Sequence, residues 1–397
     1  MNKYFKKLPV WVQNSLITLY NSYQYNIRHG GEYKELRKKY KKFEKMSENE
    51  WKKQQNDMLK NFLAYATKHS TWYSPYKDKP LSCFPILNKE ELINRLDDIK
   101  TLPDTKGIVS HTGGTTGASM KVVYQKADIQ ERYAILDNFR SMHGYSLGKK
   151  TAWFSGKELV DEAELDKGIC SRDDWINKIR FFSTFHINDK YFDIYWKRFC
   201  EFEPEFIVGF PSSVYLICKM AKERGVAYTG KVKVFFPTAE TVLPEHRQVI
   251  GDVLGCVLRD QYASSEGAPF ILECKAGNKH IHPLTGVFEV VDEELKSCLQ
   301  GQLLVTSFTT HGTPLIRYKI GDGITLSTAN SCDCGSTFPL VESIEGRTND
   351  YLVSPEHGNV NLGNISNSTK GVEGIVCFQI VQRNLEEIDI SIVSNDK

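Results

Sequence analysis

The sequence of 397 residues has almost no net charge, because 51 lysines and arginines are balanced by 49 aspartates and glutamates. This balance provides no broad positive field, which argues against a protein that binds duplex nucleic acid. The sequence also lacks an apolar run that approaches the roughly 20 residues needed to span a bilayer. Its N-terminus starts with basic residues, but polar residues 13–15 interrupt the apolar stretch and no small-residue cleavage site follows. We therefore predict neither a membrane span nor a secretory signal peptide.

The ten cysteines are spread from Cys83 to Cys377 and form no dense framework of the kind found in small secreted proteins. We interpret most of them as the reduced thiols of a cytoplasmic protein. Hydrophobic residues make up 41% of the chain and charged residues 25%, which is typical of a globular protein. The length suffices for two or three domains or for one large, layered domain.

The middle of the chain alternates between helical and β-rich segments. Helices are predicted over residues 128–142, 192–202, 212–225 and 243–254, and short strands over 151–154, 206–208, 232–236 and 256–260. Such alternation favours βαβ units with mainly parallel sheets. After about Pro269, strands joined by turns indicate an antiparallel or barrel-like segment. Residues 351–397 indicate a separate small α+β unit with strands over 376–381 and 388–393, which we expect to be incomplete.

The strongest chemical signal is the segment SHTGGTTGASMKVVY, from Ser110 to Tyr124, in which three glycines and three threonines precede Lys121. Glycines allow the backbone to approach an anion, and hydroxyl and amide groups can donate to phosphate oxygens. The segment lacks the Walker pattern, because no GKS or GKT follows the loop. An ordinary flexible loop is the alternative. The hydroxyls interleaved with glycine favour a phosphate contact.

Four further segments carry groups suited to nucleotide chemistry. They are FFPTAETVLPEHR (235–247), RDQYASSEG (259–267), TPLIRYKIGDG (313–323) and IEGRTND (344–350). Tyr262 offers an aromatic face for a base, and Glu266 offers a carboxylate for Mg²⁺. Taken alone, Tyr262 suits packing, Glu266 suits a solvated surface and Asp322 suits a turn.

In this order, the five segments resemble the core motifs of the adenylate-forming superfamily of acyl-CoA and aryl-CoA ligases. TGGTTGASMK is similar to its phosphate loop, with Ser119 where proline is usual, and GRTND is similar to its hinge. DQYASSEG and LIRYKIGD are similar to two further motifs of that superfamily. FHIND, VGFPSSVYLICKMAKERG, TAETVLPEHR and SSEGAPFILEC resemble the phenylacetate–CoA ligase-like branch, especially CapK-type members associated with capsular polysaccharide. The resemblance runs from about residue 50 to the end of the chain.

The resemblance implies an α/β fold in two parts. Residues 1–350 would form a large N-terminal adenylate-forming domain with layered α/β sheets and a β-rich segment, and a small α+β lid would begin at 351. The acyl pocket would be bordered by Phe185, His186, Phe210, Pro211 and Ser212. Asn349 and Asp350 would form the hinge to the lid.

The resemblance also implies the residues that bind and activate ATP. The nucleotide-binding residues would be Thr112, Gly113, Gly114, Thr115, Thr116, Gly117, Thr238, Ala239, Glu240, Gln261, Tyr262, Ser264, Ser265 and Asp322. The first six would contact phosphates, Thr238 to Glu240 the adenine, and Asp322 the ribose, with Tyr262 stacked on the ring. Lys121, Glu266 and Arg347 would be catalytic, with Glu266 as the ligand of Mg²⁺.

The implied activity is the ATP-dependent conversion of a small carboxylic acid to an acyl-adenylate, followed by transfer to coenzyme A. One alternative is transfer to an amine or hydroxyl acceptor, such as a sugar-linked acceptor in cell-surface polysaccharide synthesis. A second alternative is a nucleotide-binding homologue without turnover. It follows from a departure, since superfamily members carry a lysine late in the C-terminal domain and Lys370 and Lys397 stand in unsuitable contexts.

A second group of residues suggests a structural zinc site. Cys274, His280, Cys332 and Cys334 supply thiolate and imidazole ligands of the kind that hold Zn²⁺ tetrahedrally. The C-x-C spacing is tighter than the usual C-x₂₋₄-C, and His282 is an alternative to His280. The segment also resembles cysteine motifs of the phenylacetate–CoA ligase-like branch. Unrelated free thiols beside surface histidines are the other interpretation.

Overall fold

The structure is a computed structural model of the chain, and it describes residues 5, 8–111, 120–157, 159–345, 351–355, 358–361 and 375–394. Within these ranges the α-helices are α1 Val10–His29, α2 Tyr33–Phe43, α3 Glu48–His69, α4 Lys89–Asn94, α5 Leu96–Ile99, α6 Lys126–Met142, α7 Glu162–Leu165, α8 Phe192–Phe202, α9 Pro211–Glu223 and α10 Pro244–Leu254. None of these helices is both long and apolar enough to cross a bilayer.

The strands alternate with helices in the first part and follow one another in the second. They are β1 Ile108–His111, β2 Lys121–Tyr124, β3 Thr151–Ser155, β4 Ser171–Asp174, β5 Ile179–Ser183, β6 Phe206–Gly209, β7 Val234–Pro237, β8 Val257–Leu258, β9 Gln261–Tyr262, β10 Ile271–Glu273, β11 Lys279–Ile281, β12 Gly286–Val291, β13 Gln300–Ser307, β14 Tyr318–Leu326, β15 Leu340–Glu345, β16 Tyr351–Ser354, β17 Gly358–Asn361, β18 Ile375–Gln382 and β19 Ile388–Ser394. The predicted α/β architecture is confirmed.

A six-stranded sheet of order β4-β5-β3-β6-β7-β8 forms the first layer, and all of its pairs are parallel except that of the edge strand β4. Its strands alternate faces, as β residues do. In β6, Ile207 packs with the cluster that includes helices α8, α9 and α10. Phe206 and Val208 point to a second cluster, which includes Phe139 of α6. The sheet is therefore covered on both faces, as parallel sheets usually are.

A seven-stranded antiparallel sheet of order β12-β13-β14-β15-β11-β10-β9 forms the second layer. One of its clusters includes Phe62 of α3 and Leu303 and Val305 of β13. Phe270 and Leu272 belong instead to the cluster that reaches the six-stranded sheet. The change after Pro269 to strands joined by turns was thus correctly predicted, and it produces a sheet rather than a closed barrel.

Three separate hairpins complete the described fold. β1 and β2 pair antiparallel on either side of residues 112–119, with His111 opposite Lys121. β16 pairs with β17, and β18 pairs with β19. The two late hairpins are joined by the Gln382 side chain, whose amide nitrogen donates to Val353 O and whose oxygen accepts from Val353 N, both at 2.7 Å. The domain boundary at residue 350 stays a prediction.

Candidate functional site

Four strands of the six-stranded sheet end at the same edge. The register pairs Ser155 with Ser183, Phe154 with Gly209, and Gly209 with Pro237, so β3, β5, β6 and β7 finish side by side. The carboxyl edge of a parallel sheet is where ligands of α/β proteins bind. Three predicted segments leave the sheet here, and they are Phe185–His186 after β5, Phe210–Ser212 after β6 and Thr238–Glu240 after β7.

The end of β6 requires a glycine. Gly209 has a φ of 142°, and a Cβ atom there would lie 1.9 Å from the carbonyl oxygen of Phe154. Immediately afterwards, Phe210 N donates to Phe154 O at 3.0 Å, and α9 begins with Pro211 at its first position. Thr238 N donates to Gly209 O at 2.9 Å, which holds the neighbouring loop against this turn.

The Glu240 carboxylate holds the loop after β7 to the N-terminus of α9. It accepts hydrogen bonds from Ser212 N at 3.1 Å and from Ser212 Oγ at 3.0 Å. A carboxylate at this end of a helix is stabilised by unpaired amide groups and the helix dipole. Ala239, beside it, is exposed and has a φ of 67°, a left-handed conformation that costs a non-glycine residue about 1–2 kcal/mol.

Tyr262 and Asp322 are brought together from strands β9 and β14. The Tyr262 hydroxyl donates to Asp322 Oδ2 at 2.6 Å, across 60 residues of sequence. Asp322 lies between Gly321, which has a φ of 93°, and Gly323. The two residues predicted to contact the adenine ring and the ribose are therefore neighbours.

Gln261 joins the two sheets next to Tyr262. Its buried amide donates from Nε2 to Pro237 O at 3.2 Å, and its Oε1 accepts from Arg140 Nε at 3.1 Å. Pro237 is the last residue of β7 and precedes Thr238. The segment that contains Tyr262 and the segment Thr238–Glu240 are therefore close together, because each directly follows a residue of this hydrogen bond.

The turn 264–268 is fixed by hydrogen bonds from two other elements. Arg132 of α6 donates from Nη1 to Gly267 O at 2.9 Å and to Ala268 O at 3.0 Å. Tyr124, the last residue of β2, donates to Ser265 O at 2.8 Å. Ser264 Oγ accepts from Ala268 N at 3.1 Å. The hairpin that carries the glycine-rich sequence is thereby attached to the turn that contains Glu266.

Glu266 is a buried carboxylate with 8% of its surface exposed. Among the residues that the structure describes, its side chain makes no hydrogen bond or ion pair. Burial raises the pKa of Tyr124; the Arg132 charge opposes this effect and the Glu266 and Asp128 charges add to it, so the tyrosine stays protonated as a donor. A buried carboxylate without a hydrogen bond or ion pair to the described residues is a fitting ligand for Mg²⁺, which takes one or two carboxylates together with substrate phosphates.

Lys121 starts β2 and is one-third exposed. Its Nζ lies 2.6 Å from Asp104 Oδ2, and hydrogen bonds from Lys121 and Lys100 lower the pKa of Asp104. Its place at the end of the glycine-rich sequence agrees with the predicted phosphate contact, which stays a prediction. The remaining predicted residues Thr112, Gly113, Gly114, Thr115, Thr116, Gly117, Arg347, Asn349 and Asp350 lie outside the described residues.

The chain is similar to known proteins. No family model matches the chain. The chain is 29% identical to protein CapK of Staphylococcus aureus over 410 aligned positions, which cover all of this chain and 89% of CapK. It is also 31% identical to the phenylacetate–coenzyme A ligase of Thermus thermophilus over 162 positions, which cover 38% and 36% of the two chains.

Solved structures share the fold. A 2-hydroxyisobutyryl-CoA ligase in the postadenylation state matches with a TM-score of 0.63 at 16% identity, over 89% of this chain and 80% of that one. The same ligase in its thioesterification state, with 2-HIB-AMP and CoA, matches with a TM-score of 0.61 at 18% identity, over 88% and 80%. The chain is thus similar along its whole length to CapK, similar in part to a phenylacetate–coenzyme A ligase, and shares its fold with a CoA ligase. The resemblance found in its motifs is thereby confirmed.

The structure also brings the predicted cysteine–histidine cluster together. Ligand atoms of Cys274, His280, Cys332 and Cys334 all lie within 4.8 Å of one another. The Cys274 and Cys332 sulfurs are 3.7 Å apart, and Cys334 Sγ is 3.4 Å from His280 Nε2. Tetrahedral Zn²⁺ with bonds of about 2.3 Å to sulfur and 2.0–2.1 Å to nitrogen would place such atoms ~3.8 and ~3.6 Å apart. The two measured separations match these values, so the four groups form a set of donors suited to a structural Zn²⁺.

Neighbouring groups orient the cluster. His280 Nδ1 donates to Phe338 O at 2.9 Å, which leaves Nε2 facing the sulfurs, and Asn278 Nδ2 donates to Cys332 Sγ at 3.2 Å. Burial raises the pKa of Cys332, but hydrogen bonds from Cys334 N, Asn278 and other neighbours outweigh it and leave the pKa at about 6. His282 is elsewhere, with Nε2 3.4 Å from Glu44 Oε1. His280 is therefore the residue that belongs to the cluster.

Two groups near the site were not identified from the sequence. Arg132 sits inside a helix and belongs to no motif, so nothing in the sequence marked it as the residue that holds the 264–268 turn. Glu273 is buried among Arg247, Arg259 and the Asp260 amide. In the sequence, the position of Glu273 directly before Cys274 was the only feature that pointed to this network of ion pairs.

Proposed function

We propose that this protein activates a carboxylic acid with ATP to form an acyl-adenylate and then transfers the acyl group to coenzyme A. The single observation that carries the proposal is the 2.6 Å hydrogen bond between Tyr262 and Asp322. It joins two of the five motifs at a point that Gln261 links to the end of β7. The motifs that resemble the adenylate-forming superfamily and the partial match to a phenylacetate–coenzyme A ligase support the same reaction.

In this proposal the nucleotide lies between the two sheets. The adenine stacks on the Tyr262 ring and reaches the loop Thr238–Glu240, while Asp322 accepts hydrogen bonds from the ribose hydroxyls. The Ser212 contacts of Glu240 support a role in shaping this loop and in placing its backbone for the base. The phosphates extend toward Lys121 and the glycine-rich sequence.

The chemistry begins with attack of a substrate carboxylate oxygen on the α-phosphorus of ATP. The bond to the bridging oxygen of pyrophosphate breaks, and the products are an acyl-adenylate and pyrophosphate. Lys121 neutralises the negative charge that develops on the phosphate oxygens. Glu266 would hold Mg²⁺, which supplies further charge neutralisation when bound. Arg347 would assist at the ribose and phosphate side.

The second step uses the thiol of coenzyme A as the nucleophile. Its sulfur bonds to the acyl carbon after losing its proton, and AMP leaves with the electron pair of the acyl–oxygen bond. Phe185, His186 and Phe210 would border the acyl group at the carboxyl edge of the six-stranded sheet. Rotation of the lid about Asn349 and Asp350 would expose the adenylate to the thiol.

A second candidate differs only in the acceptor. The similarity that spans the whole chain is to CapK, whereas the named CoA ligase matches over 38% of the chain. An amine or hydroxyl, including one on a sugar, would attack the same acyl carbon. Product analysis with coenzyme A and with amino-sugar acceptors separates the two candidates.

The test is pyrophosphate exchange into ATP with Mg²⁺ and a panel of aliphatic and aromatic acids. Exchange with one class of acid supports adenylation, and Asp322→Ala should abolish it. The control is Asp252→Ala, a half-exposed aspartate near the C-terminal end of α10 that pairs with Lys222. Absence of exchange across the whole panel contradicts the proposal. Calorimetric binding of ATP without any adenylate would instead identify a nucleotide-binding homologue without turnover.

We also propose that Cys274, His280, Cys332 and Cys334 hold a structural Zn²⁺. The fit of the four ligand atoms and the orientation of His280 by Phe338 O support it. Elemental analysis of the purified protein should give one zinc per chain. Cys334→Ser should lower that content strongly, whereas Cys83→Ser, at an exposed cysteine outside the cluster, should not. Zinc-free wild-type protein would contradict the assignment.

A further inference from the structure

Helix α1 buries polar residues and exposes apolar ones, which is the reverse of the usual surface helix. Its buried residues are Gln13, Asn14 and Thr18. The residues that it exposes between Val10 and Gln24 are Trp11, Leu16, Leu19, Tyr20 and Tyr23. Trp11 is 67% exposed and Leu19 is 65% exposed. The outward side of this helix is therefore a continuous stripe of large apolar and aromatic side chains.

Hydrogen bonds fix the orientation of this helix. Arg172 Nε donates to Gln13 Oε1 at 2.7 Å, and Trp175 N donates to Thr18 Oγ1 at 3.2 Å. Between them, Asp173 N donates to Asn14 Oδ1 at 3.1 Å. Rotation of the helix to bury its apolar side would remove these partners, including one from the fully buried Arg172. The apolar side consequently faces outward as part of the folded structure.

The turn after β4 is bonded to α1 and exposes two further large apolar residues. Trp175 is 53% exposed and Ile176 is 66% exposed, and the Trp175 amide is bonded to α1. We call the set Trp11, Leu16, Leu19, Tyr20, Tyr23, Trp175 and Ile176 the α1 face. Single exposed apolar residues need no explanation, but a cluster of this size marks an interaction surface.

The sequence around the α1 face is cationic. The first 31 residues contain Lys3, Lys6, Lys7 and Arg28 and no aspartate or glutamate, although the whole chain is almost neutral. The three lysines directly precede α1 in the sequence. An anionic surface is the electrostatic complement of this segment.

We propose that the α1 face binds the surface of an anionic phospholipid membrane, with α1 lying in the plane of the interface. Leucine side chains would enter the boundary of the acyl chains, and tryptophan and tyrosine rings would occupy the headgroup level. The positive charge of the N-terminal sequence favours an anionic surface. A second copy of the chain carries the same positive charge, so it lacks this complementarity.

Co-sedimentation of the full chain with vesicles tests this proposal. The protein should pellet with vesicles of phosphatidylcholine and phosphatidylglycerol at a 3:1 ratio, bind pure phosphatidylcholine more weakly, and lose binding as salt is raised. The triple variant Trp11→Gln, Leu19→Gln, Tyr23→Gln should bind on the order of tenfold more weakly or worse. The matched control is Val257→Gln, Leu299→Gln, Leu385→Gln, three exposed apolar residues far from α1 in sequence.

Two further measurements separate the sources of binding. Lys3→Ser, Lys6→Ser, Lys7→Ser should remove most of the preference for anionic vesicles. Thermal unfolding should show that all variants retain the wild-type fold, since the changed residues are exposed or lie at the N-terminus. Wild-type protein that stays in solution with the anionic vesicles overturns the proposal, as does equal binding by the α1-face variant. A vesicle-free dimer that this variant dissociates would also overturn it in favour of a second copy.

Discussion

Two buried glutamates, one before strand β10 and one at its end, have opposite surroundings. Glu273 is 1% exposed, and its carboxylate is saturated by Arg247 Nη2 at 2.7 Å, Arg259 Nη1 at 3.0 Å and Asp260 N at 2.9 Å. Glu266 is 8% exposed and has no ion pair or side-chain hydrogen bond within the described part of the chain. The first carboxylate holds elements together, whereas the second has no such role among the described residues.

The difference separates a scaffold residue from a candidate functional residue. A buried charge is tolerated when it is paired and hydrogen-bonded, and it is expensive otherwise. Glu273 joins the chain after β8 to α10 and β10, so its ligands are all internal. Glu266 lies in a turn that Arg132 and Tyr124 already hold through backbone oxygens, so its own side chain is not needed to shape that turn.

The same substitution at both positions gives the sharpest contrast. Glu266→Gln should reduce pyrophosphate exchange on the order of 10²–10³-fold, because it removes the charge that would hold the metal ion. Its free energy of unfolding should stay nearly the same, since the Glu266 side chain has no hydrogen bond or ion pair to the described residues that the substitution would remove. Exchange rates and urea unfolding measure the two effects. Wild-type exchange by this variant would contradict the role of Glu266.

Glu273→Gln should act on stability instead. Removing one partner of a buried ion pair costs about 3–5 kcal/mol, and we expect the lower end because the Arg247 side chain is 36% exposed. The folded fraction should retain its exchange activity per molecule. Urea unfolding of the two Gln variants side by side tests the prediction. Equal stability of both would remove the distinction between the two carboxylates.

Tyr262→Phe should have a smaller effect than either glutamate variant. It removes the hydrogen bond to Asp322 but keeps the aromatic face, so the KM for ATP should rise about 5–10-fold, the equivalent of about 1–1.4 kcal/mol. Tyr262→Ala, which also removes the ring, should raise it further. If the alanine and phenylalanine variants behave alike, Tyr262 does not stack on the base.

The smallest effect concerns a third buried carboxylate, Asp128, which is paired with a histidine. His311 Nδ1 lies 2.7 Å from Asp128 Oδ1. Burial alone lowers the pKa of His311, but the hydrogen bond and charge of Asp128 outweigh it, so the pKa is raised. The pair therefore adds its full stability below the unfolded pKa of about 6.5 and loses it as the pH rises through the folded value.

Urea unfolding at pH 6 and pH 8.5 measures this dependence. The difference in unfolding free energy between wild type and His311→Asn should be larger at pH 6 than at pH 8.5. Glu273→Gln should leave that difference unchanged, because its partners are arginines that do not titrate in this range. A difference that grows with pH would mean that Asp128 does not stabilise the protonated histidine.

The sequence predicted the order and type of the main helices and strands well, because hydrophobic periodicity and glycine placement are local signals. Helix α8 was predicted with its observed bounds, and the strands over 206–208 and 232–236 were found within two residues. The shift from parallel to antiparallel pairing after Pro269 was also predicted correctly. Element order and type follow from short-range patterns, and both are confirmed.

Contacts between residues that are distant in the sequence were harder to predict from the sequence. The motifs implied that Tyr262 and Asp322 share a site, but no pattern could assign Glu240 to Ser212, which lies 28 residues earlier. His280 and His282 are two positions apart. His280 lies within β11, whereas His282 follows the end of that strand at Ile281. Such choices depend on where a strand stops and on which chain segment packs beside it.

The N-terminal helix shows how one observation can have two meanings. The interruption of its apolar stretch at Gln13 and Asn14 argued against a signal peptide. In the folded chain, these residues are the ones that attach α1 to β4. The sequence contains both polar and apolar positions, but only the fold determines which set faces inward.

Gln261 has a consequence for motion during turnover. Its planar amide is anchored at one end to Pro237 and at the other to Arg140. If the parallel sheet slid past the antiparallel sheet, both hydrogen bonds of this rigid amide would have to stretch together. Gln261 therefore holds the end of β7 and helix α6 in fixed positions relative to β9. In the proposed reaction, movement between the adenylation step and the transfer step would involve segments that Gln261 does not contact.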